Sequence, residues 1–355
     1  MVPLADRVKG RNIMKHLREL EKSQWYSPDQ IEELQRKRLR LIMQHSYNNV
    51  PYYHKIFREL NLKPNDIKTA EDLSKLPVLT KDIVRNNIDK IVAKNSYASE
   101  LIESGSSGST GEPLKYYITQ ESQDMSNAAA FRGWGWAGFS TGDKIVNLAG
   151  FPYQMIGKSE LSKRIAYAIS RHQFLQAFNL DENTINQYIE FIRKYKPKAI
   201  RGYSSSIYLL AKAMKKYGIQ DVQPHTVITH GETLSGEMRQ TIENQFGCKV
   251  FDGYGGDGML IAMQCGEHEG YHLTAENLVV EFIKQNEPVS AGELGEIVLT
   301  DLTNYGMPFI RYKIGDVGKP SDDTCGCGRG LPLMQSIEGR VPDMIITPGG
   351  KVLIV

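Results

Sequence analysis

The sequence is poor in cysteine, has no long apolar run and carries almost no net charge. Four cysteines in 355 residues are too few for the disulfide framework of a small secreted domain. No apolar run approaches the roughly 20 residues that span a bilayer, and no apolar core of a secretory signal follows residues 1–11. Because 43 basic residues nearly balance 41 acidic ones, nucleic-acid binding is not expected. We predict a cytoplasmic protein without membrane insertion, whose cysteines are thiols or metal ligands.

The length and the hydrophobic pattern predict an α/β protein of more than one packed unit. A chain of 355 residues exceeds the size at which a single core stops growing. Residues 1–95 have a helical pattern, 96–266 alternate strands with helices, and 267–338 have the pattern of a β-sheet or small barrel. The predicted strands are 145–149, 199–200, 227–229, 249–251, 279–283, 296–300 and 309–312.

Capping signals support three of the predicted helices. Ser27-Pro28-Asp29-Gln30 supplies an N-cap, a first-turn proline and a glutamine at N3. Helices over 205–217 and 235–246 end at glycines that can adopt a left-handed cap, Gly218 and Gly247. The helix that follows Ser27 is expected to bury one apolar face, formed by Ile31, Leu34, Leu41 and Ile42. The segment Val50-Pro51-Tyr52-Tyr53 indicates a packed turn between helices.

A loop of serine, glycine and threonine is the first candidate site. Consecutive backbone N–H groups, unhindered approach at two glycines, and hydroxyl donors together suit a polyphosphate. The alternative is a flexible linker, which such a composition often forms. Apolar, β-prone residues at 101–102 and 114–118 favour a hairpin, and no Gly-Lys-Ser/Thr follows, so this is not a Walker loop. The residues of the loop are Ser106, Ser107, Gly108, Ser109, Thr110 and Gly111.

The second candidate is a set of cysteine and histidine residues. Cys265 is followed by His268 and His272, and Cys325-Gly326-Cys327 comes later in the chain. Thiolates and imidazole in a four-ligand set suit structural zinc. The residues alone leave free buried thiols equally open.

Several ordered motifs together resemble one superfamily. The sequence is similar to the acyl-adenylate-forming enzymes, and within them to the phenylacetate-CoA ligase group and its capsular-polysaccharide biosynthesis branch. The resemblance implies an N-terminal body with two helix-flanked β-sheet subdomains and a small β-barrel-like subdomain, with 339–355 as the hinge and start of a C-terminal domain. The motifs are Val50-Pro51-Tyr52-Tyr53, Leu76-Pro77-Val78-Leu79-Thr80-Lys81, Ser106 to Pro113, Arg201-Gly202-Tyr203, Pro308 to Asp316, and Gly339-Arg340.

The resemblance implies an activity and a nucleotide site. ATP would join its α-phosphate to a small carboxylic acid, pyrophosphate would leave, and CoA or another thiol or amine would take up the acyl group. Adenine would lie against Tyr254 and the Gly231-Glu232-Thr233 turn. Asp316 would accept the ribose hydroxyls with its two oxygens, and Arg340 would reach ribose or phosphate, the alternative being a solvated surface arginine.

Asp257 is the candidate for recruiting Mg²⁺, because magnesium is typically held by one or two carboxylates and phosphates. The family usually has Glu one residue farther from the tyrosine, so the acid here is shorter and the loop is shortened by one residue. The alternative is a turn in which Asp257 and the adjacent glycines only satisfy backbone geometry.

The resemblance also selects the zinc ligands and leaves the substrate open. It favours Cys265, His272, Cys325 and Cys327 over a set with His268, and it leaves Cys248 as a core residue. The site would be structural, since protein ligands fill all four positions. For the acid, Arg201 is a candidate partner of a carboxylate. Aromatic residues that either line a pocket or belong to the core are Trp134, Trp136, Phe139, Phe151 and Tyr153.

The chain stops at Val355, where the superfamily continues into a mobile domain that carries a catalytic lysine. We therefore expect a truncated form that binds ATP but adenylates slowly. Pro342 stands where relatives commonly have an acidic hinge residue, and its locked φ restricts rotation there.

A homodimer is compatible with the sequence. The rival hypotheses are a catalytically silent nucleotide-binding module and a phosphoryl transferase that releases ADP.

Calorimetry with ATP, with and without Mg²⁺, tests the place of Asp257. We expect magnesium to strengthen ATP binding and Asp257→Ala to remove that gain, because the carboxylate that recruits the cation is gone. Magnesium-dependent binding that survives the substitution would exclude Asp257 from the mechanism.

Overall fold

The computed structural model describes most of the chain, with gaps at several loops and both termini. The described residues are 6, 10–95, 101–105, 114–150, 159, 167, 171–178, 180–256, 259–340, 344–346 and 352–354. In this part of the chain, none of the helices combines the length and apolarity needed to cross a membrane. The chain divides into two compact units, one built mainly of Ala130–Gly255 and the other mainly of Arg11–Ala129 and Glu269–Val355.

The helices and strands follow the alternation expected from the sequence. The α-helices are α1 Ile13–Ser23, α2 Pro28–Asn49, α3 Pro51–Glu59, α4 Lys81–Ile91, α5 Gln120–Trp136, α6 Glu182–Tyr195, α7 Ser204–Lys216 and α8 Gly236–Phe246, with short 3-10 helices at Pro64–Asp66 and Glu71–Lys75. The strands are β1 Leu101–Gly105, β2 Lys115–Thr119, β3 Ile145–Ala149, β4 His172–Gln176, β5 Ala199–Tyr203, β6 Thr226–His230, β7 Val250–Gly256, β8 Met259–Met263, β9 Tyr271–Leu273, β10 Leu278–Lys284, β11 Glu287–Pro288, β12 Gly295–Asp301, β13 Tyr312–Ser321, β14 Leu333–Arg340, β15 Met344–Ile346 and β16 Val352–Ile354.

The unit around Ala130–Gly255 is a parallel sheet covered by helices. Its strands lie in the order β4-β3-β5-β6-β7. One face packs on α6, α7 and α8 through an apolar core that includes Leu148, Ile200 and Leu210. Strands β3 and β5 approach closely, because a Cβ on Gly202 would lie 2.1 Å from the carbonyl oxygen of Leu148. Only glycine fits at that crossing.

The other unit combines antiparallel strands with the N-terminal helices. Its strands lie in the order β11-β10-β12-β13-β14-β9-β8, and β1 and β2 form a separate antiparallel hairpin. Helix α2 is tied to this sheet by side chains, since Gln35 Nε2 donates to Ala275 O at 3.0 Å and Arg38 Nη1 donates to Glu276 O at 2.7 Å. Residues 11–95 therefore share a unit with the β-rich part of the chain.

Most local predictions are confirmed. Ser27 and Gln30 form a reciprocal capping box, with Gln30 N donating to Ser27 Oγ at 3.3 Å and Ser27 N donating to Gln30 Oε1 at 3.0 Å. The strand predicted at 145–149 matches β3, and Gly247 caps α8 with φ of 66°.

Three local predictions are wrong. Leu41 is 53% exposed, so it does not belong to the buried face of α2. Pro51 begins helix α3 instead of a turn, because its fixed φ suits a first helical position. The strand predicted at 309–312 starts only at Tyr312, since Arg311 has φ of 52°, which breaks an extended chain.

Arg311 is a buried cation that links three segments of its unit. Its Nε lies 3.1 Å and 3.2 Å from the two carboxylate oxygens of Glu281 on β10, and Nη1 donates to Leu76 O at 2.7 Å. Its carbonyl accepts from Leu79 N at 2.8 Å. Burial raises the pKa of Glu281, and the charge of Arg311 opposes that shift. The pair thus satisfies two groups that would be costly to bury alone.

We expect Arg311→Met to lower the free energy of unfolding by about 3–5 kcal/mol, because it leaves Glu281 buried without its counter-charge. Arg36→Met is the matched control: Arg36 forms an exposed pair with Glu32, and its loss should cost less than about 1 kcal/mol. Chemical denaturation measures both. The double variant Arg311→Met/Glu281→Met should recover part of the loss, and equal losses for Arg311→Met and Arg36→Met would contradict the assignment.

Candidate functional site

The β1–β2 hairpin supports the predicted phosphate loop. Its strands pair with Gly105 opposite Lys115, so the chain leaves and re-enters the ladder at neighbouring positions. This confirms the hairpin predicted from the flanking residues. The loop residues Ser106, Ser107, Gly108, Ser109, Thr110 and Gly111 lie outside the described residues.

The predicted adenine turn follows β6. Strands β6 and β7 pair in parallel, with His230 opposite Gly253. The next residue of each segment, Gly231 and Tyr254, therefore lies at the same level along the sheet. Gly231 has φ of 78°, and a Cβ there would lie 3.1 Å from the ring of Tyr203. A side chain at this position is therefore disfavoured both by the left-handed backbone conformation and by the closeness of the Tyr203 ring.

Glu232 has a structural contact that the sequence did not indicate. Its carboxylate accepts from Ser205 N at 2.8 Å, and its carbonyl accepts from Ser204 Oγ at 3.3 Å. Both donors belong to the first turn of α7, where N–H groups lack helical partners. Glu232 therefore ties the turn to the start of α7, while Gly231, Glu232 and Thr233 remain exposed.

The remaining predicted nucleotide residues fall on strands. Tyr254 lies in β7 and is 8% exposed. Asp257, the predicted magnesium residue, lies outside the described residues. Asp316 on β13 and Arg340 on β14 are cross-strand partners, and Arg340 Nε lies 3.2 Å from Asp316 Oδ1. The structure therefore brings together two residues that the sequence analysis treated separately.

The four predicted metal ligands form one group. The ligand atoms of Cys265, His272, Cys325 and Cys327 all lie within 4.8 Å of one another, and Cys327 Sγ lies 3.3 Å from His272 Nε2. Tetrahedral zinc with bonds near 2.0–2.3 Å needs ligand atoms about 3.5–3.8 Å apart. Cys265, His272 and Cys325 are buried, and Cys327 is half-buried. Donor type and spacing both fit a tetrahedral metal.

Hydrogen bonds hold the turn that carries Cys325 and Cys327. His272 lies in β9 opposite Leu333 of β14. Gly328 N donates to Cys325 O at 3.1 Å, and Gly326 N donates to Glu269 Oε2 at 3.0 Å. These two hydrogen bonds order the turn that carries Cys325 and Cys327.

The residues left out of the ligand set have other surroundings. His268 packs its ring 4.9 Å from that of Phe251, and burial lowers its pKa. Cys248 packs against the apolar core of its unit, and burial raises the pKa of its thiol to about 11. A thiol that resists ionisation is a poor metal ligand.

Of the candidate aromatic residues, Phe139 and Trp134 belong to an apolar cluster and Trp136 contacts an arginine. Phe139 is buried with Ile145 and Ala199, and its ring lies 5.7 Å from that of Trp134. Trp136 stacks with Arg132 at 5.3 Å. Phe151 and Tyr153 lie outside the described residues. The core interpretation therefore holds for Phe139.

Arg201 lies under Trp134, with Cζ 5.0 Å from the ring centroid. Its Nη1 donates to Asn147 Oδ1 at 3.4 Å, and burial lowers its pKa to about 10. Burial lowers the pKa of His172 to about 4 and lowers that of His230, and the charge of Arg201 acts in the same direction on both. Arg201 is a candidate from its sequence motif, whereas the two histidines are not, because only strand pairing brings them near it.

The fold is that of an adenylate-forming ligase. The chain matches 2-hydroxyisobutyryl-CoA ligase in the postadenylation state, in complex with R3-HIB-AMP, with a TM-score of 0.76 and 21% identity over 93% of this chain and 71% of that one. An open conformation of the same ligase, with 2-HIB-AMP and CoA, gives a TM-score of 0.72 and 22% identity over 88% and 76% of the two chains. The fold class predicted from the sequence is confirmed.

Among proteins of known function, the chain is similar to phenylacetate-coenzyme A ligase of Pseudomonas putida, with 27% identity over 336 residues, 92% of this chain and 74% of that protein. It is also similar to CapK of Staphylococcus aureus, with 27% identity over 297 residues, 80% of this chain and 62% of CapK. The chain thus spans less than two thirds of CapK. No protein-family model matches the sequence. These relatives confirm the resemblance found in the motifs.

Proposed function

We propose that the protein activates a carboxylic acid with ATP. A carboxylate oxygen attacks the α-phosphorus, the bond to the β-phosphate oxygen breaks, and acyl-AMP and pyrophosphate form. Similarity to a phenylacetate-coenzyme A ligase over 92% of the chain carries this proposal. The neighbour structures hold acyl-AMP and CoA, which supports transfer of the acyl group to the thiol of CoA in a second step.

The described residues support distinct roles in this reaction. Asp316 would accept the ribose hydroxyls, and Arg340, which lies 3.2 Å from it, would hold the carboxylate in place. Tyr254 and the exposed turn at Gly231 would border adenine. No general base is needed, because the substrate carboxylate is already ionised; positioning and neutralisation of phosphate charge supply the rate.

We also propose Mg²⁺ with the phosphates and Asp257 as the residue that recruits it. A hard divalent cation beside the phosphates neutralises charge as pyrophosphate leaves. The loop of Ser106 to Gly111 would bind the same phosphates, because the β1–β2 hairpin brings its ends together.

An amine acceptor, a homodimer and a cytoplasmic location are further hypotheses, the last supported by cysteines that form no disulfide.

Pyrophosphate release in the presence of a panel of acids tests the reaction. We expect acid-dependent pyrophosphate and AMP, and a drop in kcat/KM for ATP of at least about tenfold with Asp316→Asn, roughly one hydrogen bond to a charged group. Asp322→Asn, an exposed carboxylate of the same unit, should change neither. ADP as product would exclude adenylation, and tight ATP binding without any pyrophosphate release would favour a silent nucleotide-binding module.

We further propose that Cys265, His272, Cys325 and Cys327 hold a structural zinc ion. Four protein ligands leave no open coordination position, so the ion would stabilise the fold and take no part in the reaction. The site would fix the turn that follows β13. That turn also contacts the N-terminal helices, since Arg329 Cζ lies 4.8 Å from the ring of Trp25.

Metal analysis of the purified protein tests this site. We expect about one zinc per chain, as the four-ligand site requires, and a lower melting temperature after chelation, since a bound metal adds its binding free energy to the folded state. Cys325→Ser and Cys265→Ser should each reduce the zinc content. Cys248→Ser is the matched control and should keep it. Full zinc content in Cys265→Ser would remove that residue from the ligand set.

A further inference from the structure

The parallel sheet of β3 to β7 has one face in the apolar core under three helices, and its other face carries polar side chains beside the smaller apolar cluster of Phe139, Ile145 and Ala199. Leu148 and Ile200 point into the apolar core under α6, α7 and α8. Because side chains alternate along a strand, Asn147 and Arg201 lie on the opposite face, and the register places them side by side. His230 shares this face and lies opposite Tyr203 in the next strand pair.

Arg201 is a charged group whose environment supplies too few acceptors. Its Nη1 has one long hydrogen bond, at 3.4 Å, to Asn147 Oδ1, and its Nε is buried without an acceptor among the described residues. Within the same described part of the chain, no carboxylate forms an ion pair with it. Although burial lowers its pKa to about 10, the guanidinium stays charged at neutral pH. A half-buried cation whose Nε is fully buried without an acceptor lacks an anion.

The neighbouring side chains do not supply that anion. The lowered pKa values of His172 and His230 keep both rings uncharged at neutral pH. His230 Nε2 is buried without a hydrogen-bond partner among the described residues. The ring of Tyr203 lies 5.5 Å from that of His230. Arg201 is thus surrounded by aromatic rings and neutral polar groups.

Arg201 lies in the middle of a strand that borders a reversal of strand order, and in open α/β sheets ligands bind beside such reversals. Strand β4 lies on one side of β3, and the next strand along the chain, β5, lies on the other side of β3. Such a reversal opens a crevice at the carboxyl ends of the two central strands. Arg201 lies on β5 and its partner Asn147 on β3, the two strands that border the reversal. Beyond them, Gly150 N donates to the hydroxyl of Tyr203 at 3.4 Å.

We propose that Arg201 binds a second carboxylate of the acid substrate, so that the protein prefers dicarboxylic acids over monocarboxylic ones. This rests on the proposed acid activation. The reacting carboxylate loses its charge when it becomes acyl-AMP, whereas a second carboxylate keeps its charge throughout and can remain paired. The planar guanidinium matches a carboxylate with two parallel hydrogen bonds. Trp134, stacked on Arg201, would cover the pair from water.

Binding of matched acids to the full chain tests the proposal without requiring turnover. Calorimetry would compare butanoate with succinate, pentanoate with glutarate, and phenylacetate with 4-carboxyphenylacetate. In at least one pair the dicarboxylate should bind about tenfold more tightly, as a buried charge-assisted pair allows. Arg201→Met should remove the difference, and Arg201→Lys should keep part of it. Arg171→Met, which removes an exposed arginine of the same unit, should leave the difference unchanged.

If the unaltered protein binds the monocarboxylate and the dicarboxylate of every pair equally tightly, the proposal is overturned, whether or not the variants fold. So would a preference that survives Arg201→Met, or a loss of ATP binding in that variant, which would assign Arg201 to the nucleotide. A double-mutant cycle of Glu160→Gln with Arg201→Met, measured by thermal unfolding, tests whether the chain itself supplies an anion to Arg201. Glu160 is included because it lies outside the described residues. Coupling between the two substitutions would show that the protein supplies the anion itself, and this too would overturn the proposal.

The same acids separate this proposal from the proposed reaction. A dicarboxylate preference in binding without pyrophosphate release would retain the anion pocket and reject adenylation. Pyrophosphate release that is equal for the two members of each pair would retain adenylation and reject the role of Arg201.

Discussion

The buried pair of Arg311 and Glu281 is the interaction on which the antiparallel unit depends. Arg311 has a left-handed backbone, with φ of 52°, at the point where the chain turns into β13. Its guanidinium bonds β10 and the carbonyl of Leu76, and its own carbonyl accepts from Leu79 N. Lys313 N in turn donates to Leu79 O at 2.9 Å. These contacts fix where β13, the strand that carries Asp316, begins.

Sequence reasoning recovered what is determined locally. Caps such as Ser27 with Gln30, and strands such as 145–149, depend on neighbouring residues and on alternation, so they can be predicted from the chain alone. The contact of Arg340 with Asp316 depends on the register between β13 and β14, and the exposure of Leu41 depends on what α2 packs against. Neither is encoded within a short segment. The strand predicted at 309–312 failed because the tertiary partners of Arg311 outweigh the β-propensity of its neighbours.

The proposed zinc site and the Asp316–Arg340 pair lie at opposite ends of one strand. His272 is the cross-strand partner of Leu333, where β14 begins, and Arg340 is where β14 ends. A metal bound near Leu333 would hold the first residues of this strand, while bulges shift its register near Val317 and Lys319. Zinc at the proposed site would therefore anchor this strand at the end away from these bulges and from the Asp316–Arg340 pair.

Two arginines, Arg311 buried and Arg201 half-buried, differ in how the surrounding protein compensates their charge. Arg311 meets a carboxylate and two backbone carbonyls, so the protein itself compensates its charge, and its loss should affect folding. Arg201 meets an amide oxygen at 3.4 Å and an indole ring, which leaves its charge uncompensated by the described residues. Since burying a lone cation is unfavourable, selection for stability alone would favour an apolar residue at this position. The position instead lies on a strand that borders the reversal of the sheet, where a substrate anion would compensate the charge.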